Sequence, residues 1–345
     1  VIAAATWPRE RPEDERLLRI DPSSATFADA RVGDLPSILR HGDLLVVNDA
    51  ATLPASMRGL REDGTPFELR LLAHEGGEST RWLAVLFGRG DWREKTEARS
   101  VPPSLAEGER IRIAGGARAH VVSVDPVSSR LLRIAFEGDA ASMWRAIYGE
   151  GRPVQYSYVE APLALWHVQS TFAGRPWAVE PPSAGRPLTF ALLQALRRGG
   201  VTVAPLTHAA GLSSTGDAVL DARLPLRERF DLPEATIRAV AEARSRGGRV
   251  VAVGTTVVRA LEGCAASHDG ELVVGEGSTD LRLDGASKLR VVSGLLTGIH
   301  EPGTSHFALM ESFAPAPLLE RAMSHAERAG YLQHEFGDSV LILGR

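Results

Sequence analysis

The chain of 345 residues has a single cysteine, Cys264. One thiol cannot close an intrachain disulfide and cannot build a cysteine-based zinc site. Long apolar runs are also missing. A membrane-spanning helix needs about 20 consecutive apolar residues, whereas Leu44-Leu45-Val46-Val47 is a short run of the kind that forms a buried strand. With no secretory leader pattern and no spanning run, the cytoplasm is the expected location. Positive charge is not in excess: 39 Lys and Arg stand against 43 Asp and Glu, for a net charge of −4. That argues against an overall basic nucleic-acid binder, although a local patch is invisible in the total. No P-loop, no dinucleotide Gly-x-Gly-x-x-Gly after a strand and no Gly-x-Ser-x-Gly elbow occurs, so three common routes to nucleotide or acyl chemistry are absent.

What is present is the balance of a globular protein, with 44% hydrophobic and 24% charged residues. The length suggests two domains. The start, Trp7-Pro8-Arg9-Glu10-Arg11-Pro12, is polar and proline-rich and is expected at the surface. A short helix over Leu35–Arg40, a Gly42-Asp43 turn and a strand over Leu44–Asn48 follow.

From 56 to 149 the pattern changes to short alternating runs, at Phe67–Leu72, Arg81–Phe87, Arg110–Ile113, Ala119–Val124 and Leu131–Phe136, separated by Gly, Asp and Pro turns. This spacing predicts a small antiparallel sheet or barrel, with a helix beginning at Ala140. Beyond 150 the pattern alternates strand and helix. Thr189 caps a helix ended by Gly199-Gly200, and Val201–Leu206 is a strand. Glu234–Arg246 is a helix, Val250–Val253 a strand, and Val257–Cys264 a helix. The expected fold is therefore α/β: a mostly parallel sheet with helices over 1–55 and 150–345, interrupted by an inserted antiparallel barrel-like domain over 56–149.

Several segments carry possible chemistry. Gly254-Thr255-Thr256 joins a buried strand to a helix, whose free N–H groups and dipole favour anions. The same residues serve equally as an ordinary strand–helix turn. Asn48-Asp49 closes an apolar strand, and in open α/β sheets ligands bind beyond the carboxyl ends of strands. The pair suits ribose hydroxyls or proton transfer, and equally a turn or cap. His208 closes another strand, and His300 lies in Thr297-Gly298-Ile299-His300-Glu301-Pro302. An ordinary histidine carries protons near neutrality, so these two are the acid–base candidates. His300 and His306 lack a third partner at zinc spacing, and no metal is expected. The loop Pro182-Ser183-Ala184-Gly185 leads into the Thr189 helix and is placed to touch a ligand.

The order of these segments resembles the S-adenosylmethionine:tRNA ribosyltransferase-isomerase family of queuosine biosynthesis, of which the chain looks like a diverged member. Asp14-Glu15-Arg16-Leu17-Leu18 resembles the family's start, and Asp43 to Asp49 with Pro54-Ala55 and Gly59 its opening motif. Gln169 to Ala173 is similar to its Tyr-Gln-Thr-Val-Tyr-Ala segment, and Pro182 to Gly185 to its Pro-Thr-Ala-Gly loop. Gly254-Thr255-Thr256-Val257-Val258-Arg259-Ala260-Leu261-Glu262 is close to its most specific string. Thr297 to Ser305 and Phe336-Gly337-Asp338 complete the series.

The resemblance implies an α/β domain with an inserted barrel and no metal. It implies transfer and isomerisation of the ribosyl group of S-adenosylmethionine, as substrate, onto the aminomethyl-deazaguanine of tRNA. Epoxyqueuosine-tRNA, adenine and methionine would be the products. It assigns proton transfer to His208 or His300 and ribose or base work to Asp49. Ligand contacts fall to Asn48, Ser183, Ala184, Gly185, Gly254, Thr255, Thr256, Arg259 and Asp338.

The chain departs from the family at Gly185-Arg186-Pro187-Leu188, where the family has Gly-Leu-His-Phe, and at Ile299-His300-Glu301, where it has Phe-His-Leu. These departures keep two alternatives open: a relative acting on a small-molecule acceptor, and a non-catalytic module that binds a nucleoside or RNA. The sequence carries no signal for an oligomeric state.

Overall fold

The computed structural model describes residues 1–344. Its centre is a nine-stranded mixed sheet. From one edge to the other the strands are Gly275–Thr279, Glu228–Leu232, Thr202–His208, Leu44–Asn48, Val250–Val253, Gly294–Gly298, Ser339–Leu343, Arg16–Asp21 and Thr26–Arg31. The middle four, from Thr202–His208 to Gly294–Gly298, are parallel, and their carboxyl ends point the same way. Antiparallel strands flank them on both sides.

The four-residue apolar run that opens the Leu44–Asn48 strand has a simple cause. Leu44 and Val46 face one core with the helices Glu234–Ser245, Thr255–Ser267 and Ala316–Arg328. Leu45 and Val47 face a second core with Phe190–Arg198. A parallel strand covered by helices on both faces has no solvent side and carries no polar alternation. The Phe190–Arg198 helix begins where expected, because the Thr189 hydroxyl accepts from the Leu192 amide.

Between Ser56 and Phe136 six antiparallel strands close into a barrel, in the order Arg118–Val124, Leu131–Phe136, Arg81–Phe87, Pro66–His74, Ser56–Arg61 and Arg110–Ile113. Five of the six coincide with alternating runs in the sequence. The sixth, Ser56–Arg61, closes the ring. Inside the barrel assembly Glu68 accepts from Arg70 and Arg99, each at 2.8 Å. Burial pushes the Glu68 carboxyl up, and the two arginines more than offset this and hold it below its usual value.

The amino-terminal segment differs from expectation. Trp7 is half-buried, packs edge-on against His167 with centroids 4.8 Å apart, and sits on a small core with Val159 and Leu163. Arg9 pairs with the buried Asp338 at 2.7 Å. The polar composition of this stretch reflects partners elsewhere in the chain, which local sequence does not reveal. Among the described residues no helix is long and apolar enough to cross a membrane.

Candidate active site

Four adjacent parallel strands end at one edge of the sheet, and the loops that leave them carry Asn48-Asp49, His208, Gly254-Thr255-Thr256 and the stretch from Thr297 to His300. Asn48 ties three of these together. Its Nδ2 donates to the His208 carbonyl at 3.0 Å and to Thr256 Oγ1 at 3.3 Å. Its Oδ1 accepts from the amides of His208 at 2.9 Å and Ala50 at 3.0 Å. With both ends of its amide occupied, Asn48 acts here as a clamp on the neighbouring strand ends.

The turn at Gly254 needs its glycine. The residue has φ +93° and ψ 152°, a region that side chains with Cβ essentially never enter. A Cβ there would also meet the Ala184 methyl at 3.6 Å. This contact brings the Ser183–Gly185 turn beside the start of the Thr255–Ser267 helix. Gly185 is held by packing, because a Cβ would lie 2.7 Å from the Phe172 ring.

Arg259, in the second turn of that helix, is buried and donates to Glu228 and to the Leu281 carbonyl, the latter at 3.1 Å. Glu228 also accepts from the Gly211 amide at 2.7 Å. Burial pushes the Glu228 carboxyl up, with the Arg259 guanidinium pulling against it.

His208 is fully buried, and its Nε2 lies 3.5 Å from Glu228 Oε2. Its ring nitrogens have no hydrogen-bond partner among the described residues. Burial, helped by the Arg259 charge, pushes its pKa down to about 3. The imidazole is therefore neutral at physiological pH. His300 stacks on His306 with ring centroids 4.8 Å apart, and its Nε2 lies 3.0 Å from Thr297 Oγ1. Burial and the neighbouring histidine hold His300 neutral as well.

Asp49 accepts from Thr207 Oγ1 at 2.6 Å, and burial raises its pKa. Asp338 is different. Its carboxylate accepts from Arg9 at 2.7 Å, the Arg16 amide at 3.0 Å and the Leu332 amide at 2.8 Å. It anchors the chain start and the Leu332–Gln333 strand, with no oxygen left without a partner.

Other ionisable groups near this edge have no local sequence signal. Glu180 accepts from Tyr156 and from Ser213, and burial pushes it up to about 7. Tyr158 donates to Glu335 at 2.7 Å and stacks on His334 with centroids 4.2 Å apart. Glu228 itself begins a short strand, second from the edge of the sheet, and looks like any surface glutamate until the sheet is assembled. Among the described residues no three His, Cys, Asp or Glu side chains group where they could hold a metal ion.

A family model described as queuosine biosynthesis protein matches residues 2–342. The chain belongs to the queuosine biosynthesis protein family. The S-adenosylmethionine:tRNA ribosyltransferase-isomerase of Parvibaculum lavamentivorans is 32% identical over 345 residues, 97% of this chain and 94% of that protein. The enzyme of the same name from Gloeobacter violaceus is 34% identical, over 98% of this chain and 92% of that one. A crystal structure of S-adenosylmethionine tRNA ribosyltransferase from Thermotoga maritima covers 99% of this chain and 96% of its own, with TM-score 0.52 and 22% identity. At that identity the likeness bears on the fold alone.

Where this member of the queuosine family departs from the Gly-Leu-His-Phe pattern, the substituted Arg186 is buried. Its Nη2 lies 3.9 Å from Glu15 Oε2, and its guanidinium sits over the Phe336 ring at 5.0 Å. The second departure, Glu301, accepts from Gln333 at 3.1 Å.

Proposed function

We propose that this protein transfers and isomerises the ribosyl group of S-adenosylmethionine onto the aminomethyl group of a deazaguanine in tRNA. The products are epoxyqueuosine-tRNA, adenine and methionine, and the reaction belongs in the cytoplasm. One observation carries the reading: the ends of four adjacent parallel strands, three bearing a segment similar to a family motif and the fourth bearing His208, lie at one end of the sheet, and Asn48 links three of them. Ligands of open α/β sheets bind at such edges. The reading takes residues 56–149 as an insertion in an α/β domain made of 1–55 and 150–345.

The chemistry suits the groups present. The sulfonium acidifies the adjacent 5′ C–H, so a modest base suffices. Asp49, with its raised pKa, and the neutral His300 are the candidates for proton transfer. Such steps are each worth about 10²–10⁴-fold. Gly254, Thr255, Thr256 and the Ser183–Gly185 turn are assigned to the donor, with amides at a helix N-terminus suited to its carboxylate. Arg259 is assigned to charge balance, through Glu228.

The test is release of free adenine from S-adenosylmethionine, with and without tRNA bearing the aminomethyl-deazaguanine. Release that requires the tRNA supports the reading. Release without RNA would transfer the assignment to a small-molecule acceptor, and binding without release would reduce the protein to a binding module.

A further inference from the structure

The barrel carries a charge pattern that its own packing does not explain. In the strands Arg110–Ile113 and Arg118–Val124, Ile111, Ile113, Ala119 and Val121 are buried in the barrel core. Side chains alternate along a strand, so Arg110, Arg112 and Arg118 face outward and are exposed. Arg112 and Arg118 stand directly opposite one another across the two strands. Like charges in that position destabilise a sheet. Arg110 has a counter-charge in Glu137, at 3.4 Å. Among the described residues neither the Arg112 nor the Arg118 guanidinium has a hydrogen-bond or ion-pair partner.

Beside this pair an open groove of about 510 Å³ runs between the Ala114–Gly116 turn and the Ala140–Glu150 helix. Arg118 lines one bank and Arg145 the other. Arg145 uses one donor on Ser142 Oγ, at 2.8 Å. The acids of the groove are Glu137, already paired, and Glu150. Gly115 and Gly116, with φ +73° and +80°, present bare backbone to it. Tyr148, one turn beyond Arg145, is half-exposed.

The chain path places this face. Residues 49–55 lead from the end of the Leu44–Asn48 strand straight into the barrel strand Ser56–Arg61. Ser56 and Arg152 exchange both backbone hydrogen bonds, each at 2.9 Å, where the chain leaves the barrel again. The barrel is thus rooted at the end of the sheet that carries the candidate site, and the Ala140–Glu150 helix ends at that root.

Guanidinium donors without a counter-charge take phosphate oxygens, bare glycine backbone allows close approach, and an exposed ring stacks on a base. A membrane also offers phosphates, but a flat surface does not follow a groove. We infer that the Arg112–Arg118 face of the barrel and the groove beside it bind the sugar-phosphate backbone of the tRNA acceptor, away from the reacting nucleotide. Such contacts fix register and orientation and carry no sequence information. Averaged into a net charge of −4, the patch disappears from the composition. That the polyanion is tRNA rests on the ribosyl-transfer reading above.

The test measures binding of tRNA to the full-length protein directly, by fluorescence anisotropy between about 50 and 200 mM salt. Adenine release at saturating tRNA, S-adenosylmethionine binding and the thermal midpoint are measured alongside. The variants are Arg112→Gln/Arg118→Gln and, as a control, Arg238→Gln, an exposed arginine on the Glu234–Ser245 helix. R112Q/R118Q is expected to weaken tRNA binding at least about tenfold at low salt. The slope of log Kd against log salt should become shallower by about 1.5, as for two lost phosphate contacts. Adenine release at saturation and S-adenosylmethionine affinity should be unchanged, and the thermal midpoint should be no lower, because a like-charge pair is removed. R238Q should match wild type throughout.

Wild-type tRNA affinity and salt slope in R112Q/R118Q would overturn the surface alone, as would an equal loss in R238Q. A lower thermal midpoint would show that the fold itself compensates the two arginines and would overturn it as well. Binding of tRNA that depends on Arg112 and Arg118, with no adenine release, would overturn the ribosyl-transfer reading and leave the surface standing. A wild type that binds no tRNA, even one that binds phosphatidylserine vesicles, would overturn both.

Discussion

Asn48 grips the backbone of His208 from both sides, its Oδ1 accepting from the amide at 2.9 Å and its Nδ2 donating to the carbonyl at 3.0 Å. The grip is specific to an amide. In Asn48→Asp the donor becomes a second acceptor facing the His208 carbonyl. Stability should fall by about 1–3 kcal/mol, the cost of a buried polar group left unsatisfied. Urea denaturation measures this, and equal midpoints for N48D and wild type would remove Asn48 from its clamping role.

Arg259 and Glu228 are each about one-tenth exposed as side chains. Arg259→Met leaves the carboxylate buried without its partner, and breaking such a pair costs about 3–5 kcal/mol. The double variant R259M/E228Q removes the orphaned charge and should recover most of that stability. Adenine release should stay low in both. A double variant no more stable than R259M would show that the arginine contributes packing and not charge compensation.

Glu15 predicts a pH effect. Burial pushes its carboxyl up from 4.5 to about 7, against the Ser339 hydrogen bond and the Arg186 charge. The folded state therefore holds a proton that the unfolded state releases between pH 4.5 and 7. Its contribution to stability is complete below the unfolded value and is lost as pH rises through the folded one. His208, with its pKa lowered, acts in the opposite direction below pH 6.5. The clean readout is thus the difference between Glu15→Gln and wild type. E15Q should gain on wild type across that window, by at most about 1.4 kcal/mol per pH unit. A difference independent of pH would show that folding does not raise the Glu15 pKa.

Gly254 combines a conformational and a ligand prediction. Gly254→Ala forces a Cβ into φ +93°, at about 1–3 kcal/mol. The start of the Thr255–Ser267 helix should shift with it. If this turn holds the donor, the Kd for S-adenosylmethionine in G254A should rise by more than stability loss alone explains. Unchanged affinity by calorimetry would remove the turn from the donor site.

His300→Ala tests proton transfer. Its turnover should fall by about 10²–10⁴, far more than any accompanying loss of folding stability accounts for. Full turnover in H300A would assign the step elsewhere.

The Leu44–Asn48 and Val250–Val253 strands and the Thr189 cap were legible because local order alone specifies them: apolar runs between turns, and a hydroxyl before an amphipathic helix. The barrel was legible for the same reason, except at Ser56–Arg61, where Gly59 takes a buried position and Leu60 an exposed one, which blurs the alternation. The motif segments at 48, 208, 254 and 300 could be named one by one, each with a role that a turn or cap also fills. Their placement at one edge follows from parallel pairing across long stretches of chain, which no local pattern encodes. The same holds for the ionisable groups. Glu228, Glu180 and Glu15 are ordinary acidic residues in one dimension, and only burial raises their pKa values. The neutral state of His208 is likewise a consequence of losing water on all sides. Sequence determined which elements form and which motifs they carry, because those depend on near neighbours. Tertiary structure decided which charges are compensated and which histidines stay neutral, because desolvation and convergence depend on residues far apart in the chain.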